Sequence, residues 1–333
     1  MRFLISGLGS IGQRHARNLL SLGEDDLVFL RSGKGTLQMD GFEEVPCETD
    51  LDLALEKWSP DAVVISNPTS EHLPVALRAA RNGCHILLEK PVSHNLEGIE
   101  ALEVALEKND CDTLVGYQFR FHPGLEKVKA LLDAGDLGRP ISVNVHWGEY
   151  LPDWHRWEDY RQSYSARVDL GGGVILTLSH PFDYLRWFFG DVDSVSAAAG
   201  TFGDLDIDVE DTAEITLFFG SGLIASVHLD YNQRPPRHGL EIICTEGTIE
   251  WDSASGAARW WTAAAGGWQE QRLPENFERN SLFLAEMEHF IDVARRTAEP
   301  KCTLEDGVRA LEIALAAKQS ALEKSATISL GKP

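Results

Sequence analysis

Over the first third of the chain, short apolar runs alternate with stretches of helical period. Phe3–Ser6, Leu27–Leu30, Ala62–Ile65, His85–Leu88 and Thr113–Gly116 predict buried strands. Gly12–Leu22, Leu51–Trp58, Glu71–Asn82 and Leu96–Lys108 predict helices, the third stopped by Gly83. Strands that take turns with helices imply βαβ units and a parallel sheet.

The pattern changes near residue 120. A helix is predicted from Gly124 to Asp133, and Ile141–Trp147 alternates, with Val143, Val145 and Trp147 on one face. A single apolar helix is expected from about Val174 to Phe189. Five strands follow: Val192–Ala198, Ala213–Phe219, Leu223–Asp230, Gly239–Thr245 and Gly247–Trp251. Their short Gly-containing connections imply an antiparallel meander. Two helices, about Ser281–Arg296 and Leu304–Ser325, close the chain. The expected organisation is an α/β domain with a parallel sheet at 1–119 and a domain of mostly antiparallel strands with helices at 120–333, the closing helices being candidates to pack back on the first domain.

Charge narrows the choice of partner. The 333 residues hold 52 acidic and 30 basic side chains, a net charge of −22. That balance argues against nucleic acid and anionic membranes as partners. An anionic ligand would need a local cluster of Arg or Lys. The five cysteines are widely spaced with no CxxC, which fits reduced thiols better than disulfides or a zinc site, and no metal site is expected. The apolar run at Phe3–Ile5 is too short for a signal peptide, and no run approaches the roughly 20 residues of a membrane span, so a cytoplasmic location is expected.

The first candidate for chemistry is Gly7-Leu8-Gly9-Ser10-Ile11-Gly12, a GxGxxG that follows a predicted strand and opens a predicted helix. Gly7 permits the turn, Gly9 lets a pyrophosphate approach the backbone, and Gly12 lets helix and strand pack closely. The N–H groups opening the helix at Ser10 and Ile11 face the phosphates. NAD-binding versions of the motif place an acid at the end of the second strand. Here that strand ends in Arg31-Ser32, which suits a 2′-phosphate and favours NADP over NAD; an Arg31 that merely stacks on adenine would suit either cofactor.

With Glu89-Lys90-Pro91 after the strand at His85–Leu88, the chain resembles the Gfo/Idh/MocA family of oxidoreductases. Further markers are Asn67-Pro68-Thr69, Gly116 to Pro123, Gly171–Gly173 and His180 to Asp183, and the resemblance runs over essentially the whole chain. It implies an α/β Rossmann domain followed by an α+β domain with a large, mostly antiparallel sheet, a nicotinamide cofactor, a sugar, polyol or related substrate, and dimers or tetramers paired through the second-domain sheet. It also implies cofactor contacts from Asn67, Pro68, Thr69, His72, Glu89, Lys90 and Gln118. The stretch from Tyr150 to Arg167 looks like a subgroup associated with cell-surface polysaccharide or nonulosonic acid pathways.

Hydride transfer at a carbinol needs an acid or base within reach of the reacting oxygen. Lys90 follows a strand at the carboxyl edge of the sheet, where ligands of such sheets bind, and desolvation there would lower its pKa. His180 and Asp183, three residues on, share a helix face, which lets Asp183 orient or charge-stabilise His180; the pair matches the family's His-x-x-Asp, in which the histidine is the usual acid/base. Leu176 and Thr177 stand where many members carry a carboxylate; Thr177 can bond a substrate hydroxyl but cannot share a proton in the same way. Pro181 lacks an N–H and is a candidate to kink the helix. Trp154, Tyr160 and Tyr164 offer faces for a sugar ring, and Arg161 and Arg167 offer forks for a carboxylate or phosphate. The competing reading of that stretch is a loop whose arginines pair with its own acids. Arg120 and His122 are further substrate candidates. Two other readings stand beside the dehydrogenase: a non-catalytic dinucleotide sensor, and a redox-neutral enzyme holding its NAD tightly.

Overall fold

The computed structural model describes residues 1–33 and 41–331. The chain forms two compact units: one from Met1–Gln118, Asp169–Gly171 and Arg279–Val308, the other from Phe119–Val168, Gly172–Glu278 and Arg309–Pro333.

The first unit opens with β1 (Phe3–Ser6), α1 (Ser10–Ser21), β2 (Leu27–Leu30), β3 (Cys47–Glu48), α2 (Leu51–Trp58) and β4 (Ala62–Ile65). It continues with α3 (His72–Arg81), β5 (His85–Leu88), α4 (Ile99–Asn109) and β6 (Thr113–Val115). The six strands pair in parallel in the order β3-β2-β1-β4-β5-β6. The apolar runs are continuous because helices cover both faces of such a sheet. β1, β2 and β4 are accordingly buried at every position. β3 has two residues, too few for any periodicity to mark it in sequence. α4 starts three residues later than its pattern suggests, because Gly98 before it adopts φ +88°, outside helical space.

The second unit contains α5 (Pro123–Ala134), β7 (Pro140–Gly148), α6 (Val174–Thr177), α7 (His180–Phe189), β8 (Val192–Gly200), β9 (Thr212–Phe219) and β10 (Ile224–Asp230). Four more strands follow, β11 (Arg237–Cys244), β12 (Gly247–Asp252), β13 (Ala258–Thr262) and β14 (Gly267–Gln271). Then come α8 (Arg279–Ala294), which belongs to the first unit, α9 (Leu304–Leu322) and β15 (Ile328–Ser329). The nine-stranded sheet has the order β14-β13-β12-β11-β7-β10-β9-β8-β15. β8 to β10 and β11 to β14 are antiparallel runs, but β7 lies between them and pairs in parallel with β10. The sheet is thus not one simple meander. A parallel pair needs a long connection, and residues 149–223, carrying α6, α7, β8 and β9, supply it. One face carries the core: Val143, Val145, Trp147, Val227, Leu229, Leu240, Ile242, Ile249 and Trp251 are all buried.

The single helix expected over Val174–Phe189 is two helices, broken at Leu178 and Ser179. Pro181 is the cause. Its missing N–H and its ring conflict with a continuous helix through the carbonyl of Thr177, four residues back, whereas the first turn of a new helix accepts it. The glycines ahead of α6 are equally determined. A Cβ at Gly172 would lie 2.3 Å from the Tyr164 carbonyl oxygen, and Gly173 adopts φ +105° against the Glu210 carboxylate. Among the described residues no helix is long and apolar enough to cross a membrane.

Candidate active site

In the first unit the glycine loop has the form its spacing predicts. Gly7 adopts φ +87° and passes so close to β4's end that a Cβ would lie 2.6 Å from the Asn67 nitrogen. Gly12 lets α1 descend onto the loop, since a Cβ there would lie 1.9 Å from the Gly7 oxygen. Gly9, by contrast, has nothing within 4 Å of where a Cβ would sit. The open glycine is therefore the one beside the N–H groups of Ser10 and Ile11 at the start of α1, where a pyrophosphate needs approach. The Asn67 side-chain oxygen is buried without a partner among the described residues, leaving an acceptor for a bound ligand. This cradle fits a dinucleotide. Arg31 and Ser32 follow β2, and the Arg31 amide donates to the Glu48 carbonyl, fixing the backbone there.

The Asn67 and Glu89-Lys90-Pro91 loops are tied together by His72, whose fully buried ring faces the carbonyl oxygens of Pro91 at 2.8 Å and Asn67 at 3.0 Å. Burial lowers its pKa. His72, expected at the cofactor, fixes the loops that carry Pro68, Thr69 and Lys90. Thr69 is buried and packs where a Cβ on Gly171 would lie 3.0 Å from its own Cβ. The Glu89 carboxylate lies 2.8 Å from His15 Nε2, and its other oxygen accepts the Lys90 amide at 3.3 Å. Gly116 makes room for it, since a Cβ there would approach its carboxylate to 3.3 Å. The side chain expected to contact cofactor thus anchors the backbone of Lys90. Gln118 sits half-buried in a short 3-10 turn, Gln118–Phe121, that follows β6.

Sequence reasoning missed the residues behind this arrangement. Glu286 on α8 is completely buried, and its ligand atoms and those of His15 and Glu89 lie within 4.8 Å of one another. Neither Glu286 oxygen has a hydrogen-bond partner among the described residues. Burial, with the Glu89 charge beside it, pushes its pKa well above the carboxylate range. The available signal was a lone acid inside the apolar stripe Leu282, Phe283, Met287, Phe290. A folded pKa raised above the unfolded value means the folded state keeps a proton the unfolded chain releases. Stability is therefore highest below the ordinary carboxylate pKa and falls as pH rises toward the folded pKa, by at most about 1.4 kcal/mol per pH unit. Glu286→Gln, which cannot ionise, is expected to gain on wild type steadily between pH 5 and 8 in urea denaturation; a constant difference across that range would show Glu286 ionised in the folded protein.

In the second unit, His180 opens α7, 2% exposed, inside an aromatic nest. Phe119 meets it edge-on at 4.7 Å and Trp147 lies at 5.6 Å. Trp147 stacks on His238 at 4.2 Å, Tyr184 Oη is 3.2 Å from His238 Nε2, and Trp251 closes the group. Burial drives the His238 pKa down to about 3. His238 and Trp251 escaped the sequence reading, although His238 shares the inward face of β11 with Leu240 and Ile242. His122, a substrate candidate, caps α5: its Nδ1 accepts the Gly124 amide at 3.0 Å, and burial lowers its pKa to about 4. Asp183, expected to serve His180, is held by Arg120. Arg120 Nε lies 3.1 Å from both carboxylate oxygens and Nη2 lies 2.7 Å from one, with the side chains 5% and 1% exposed. Two candidates assigned to separate tasks are one buried ion pair. Thr177 is buried.

The Tyr150–Arg167 stretch is a chain of short 3-10 turns. Trp154 packs edge-on against Tyr231 at 5.5 Å. Arg161 pairs with Asp159 at 2.8 Å and reaches Asp206 at 3.6 Å, while Tyr160 lies 5.9 Å from its guanidinium. Arg156 pairs with Asp153. Arg156 and Arg161 are thus matched to acids at the surface, which reduces their pull on an incoming anion. Tyr164 and Arg167 are half-buried, and their carbonyls pack against Gly172.

Comparison with known proteins places this geometry. The family model described as the oxidoreductase family with an NAD-binding Rossmann fold matches residues 1–117, and that for the GFO/IDH/MocA C-terminal domain matches residues 125–250. Myo-inositol 2-dehydrogenase of Thermotoga maritima is 28% identical, over 97% of this chain and 97% of its own. The NAD(+)-dependent scyllo-inositol 2-dehydrogenase of Bacillus subtilis is 28% identical, over 96% and 94%. Among solved structures, the WlbA dehydrogenase of Bordetella pertussis, in complex with NADH and UDP-GlcNAcA, superposes with a TM-score of 0.81 at 22% identity, covering 100% of this chain and 99% of that one.

Proposed function

Because the chain belongs to the Gfo/Idh/MocA family of nicotinamide-dependent oxidoreductases, we propose that it interconverts a carbinol and a carbonyl on a sugar or polyol, with NADP(H) as the preferred cofactor. The observation that carries this reading is the cradle at Gly7–Gly12, open at Gly9 and followed by Arg31-Ser32 in place of an acid. When bound, the nicotinamide supplies or accepts the hydride. The chain's task is then to bind, orient and move a proton. Lys90, its backbone held by Glu89 and the His72-tied loops, and His180, in its aromatic nest, are the groups assigned to the proton on the reacting oxygen. Inositols and related rings are the first substrates to try, since the relatives matched over nearly their whole length are named for them.

A nucleotide sugar or sugar acid is the second reading. Its support is the arginine-bearing stretch to Arg167 together with the likeness to a structure holding UDP-GlcNAcA. Pairing of copies through the nine-stranded sheet belongs to the same proposal. The test is a thermal-shift screen with NADPH, NADH, inositols, sugar acids and nucleotide sugars, followed by turnover assays on each stabilising pair. NADPH is expected to stabilise more and to have the lower KM. A strong NADH preference would sink the NADP assignment. Cofactor binding with no turnover over the whole panel would favour the sensor reading.

A further inference from the structure

On the face of the nine-stranded sheet opposite the core, two histidines, a glutamate and an aspartate stand side by side on three neighbouring strands. The register sets His146 of β7 against His228 of β10, and His228 against Glu214 of β9. Asp230 lies two residues beyond His228 on the same face, opposite Gly148. That glycine is what admits the carboxylate: a Cβ there would lie 2.1 Å from Asp230 Oδ2 and 2.3 Å from Gln233 Oε1. The imidazoles of His146 and His228 stack with centroids 4.4 Å apart. The ligand atoms of His146, His228 and Asp230 all lie within 4.8 Å of one another, and Gln233 Oε1 is hydrogen-bonded to His146 Nε2.

We propose that His146, His228 and Asp230 bind one divalent transition-metal ion, of which zinc is the best match, with Gln233 Oε1 or water as the fourth donor. Two imidazoles and a carboxylate, leaving one position open, form a donor set that zinc accepts in tetrahedral geometry. The surrounding contacts are those of a built metal site. His228 Nδ1 donates to Glu214 Oε1 at 2.6 Å, the outer carboxylate that orients a metal-bound imidazole. His228 Nε2 lies 3.0 Å from Asp230 Oδ2, so an ion entering there takes the place of the shared proton. The other Asp230 oxygen accepts the Asn232 amide at 2.7 Å, which aims the carboxylate. His146, His228 and Glu214 line a cavity of about 820 Å³ together with Asn144, Ser226, Arg237 and Arg259. No ligand spacing in the sequence reveals this, because the donors come from strands separated by some eighty residues and meet only in the sheet.

The experiment uses the full chain, stripped with EDTA and dialysed. Zinc is titrated in competition with a chromophoric chelator, and cobalt is titrated with its visible absorption recorded. One equivalent of zinc per chain is expected, with an intense cobalt band of four-coordinate character. His228→Ala and Asp230→Ala are expected to abolish it, and Glu214→Gln to weaken it by about 10- to 100-fold. His15→Gln, in the separate buried cluster, should leave it unchanged. Circular dichroism checks that each variant is folded, and Glu214→Gln, at an exposed side chain, keeps the test open if the others are not. Absence of saturable zinc uptake would overturn the site, as would uptake that survives the loss of both His146 and His228.

Discussion

Replacing Lys90 by methionine is expected to lower kcat/KM by about 10²- to 10⁴-fold, the range for loss of one positioned acid or base, or roughly 3–5 kcal/mol of transition-state stabilisation. Methionine keeps the aliphatic stem and removes only the ammonium. The backbone at residue 90 should stay in place, because its amide is held by Glu89 and the following loop by His72, neither of which depends on the Lys90 side chain. Dinucleotide binding, followed by NAD(P)H fluorescence, should therefore weaken far less than turnover. His180→Ala is expected to cost a similar factor. If the two groups act on one proton, the double variant should lose little more than either single one, since residues that act as a unit are strongly non-additive. The measurement is steady-state and single-turnover kinetics on the best substrate of the screen. A Lys90→Met enzyme with kcat within a few-fold of wild type would remove Lys90 from the proton path.

How much of this was legible beforehand follows the range of the interactions. The glycine loop is local: spacing, strand and helix lie within ten residues, and each glycine has the surroundings its position implies. The parallel sheet was legible because its strands are covered on both faces and so read as unbroken apolar runs. The Arg120–Asp183 pair was not, because it joins residues 63 apart and each had a plausible local task. Nor was the third point of the His15–Glu89–Glu286 cluster, which α8 delivers to the first unit from beyond the second-unit sheet. The break at Leu178 was half legible. Pro181 announced it, but only the structure places the new helix start at His180. His238 shows an avoidable miss, since strict alternation along β11 already put it on the core face.

Loss of the Asp183 carboxylate separates a structural role from a catalytic one. Asp183→Ala is expected to destabilise the folded protein by about 3–5 kcal/mol, because it strands the Arg120 guanidinium in a site where both partners are almost fully buried. Desolvating a charge is costly, and three contacts to the aspartate offset that cost here. Asp183→Leu combined with Arg120→Met removes both charges together. That double variant should be more stable than Asp183→Ala, even though it discards the same ion pair. Urea denaturation of Asp183→Leu, Arg120→Met and the double supplies the cycle, with Asp183→Ala measured beside it. The catalytic alternative makes a different prediction, since an aspartate that mainly orients His180 would show itself in kcat of the folded enzyme with little change in midpoint. The fork-on-carboxylate geometry favours the first outcome, and with it a view of Arg120 as the partner that fixes the first turn of α7. His180 would then owe its position to the ion pair, so that a loss of activity in Asp183→Ala would follow from unfolding of that turn rather than from a missing proton relay. An unfolding free energy unchanged within about 1 kcal/mol, together with a large loss of kcat, would reverse this assignment and restore Asp183 to the active centre.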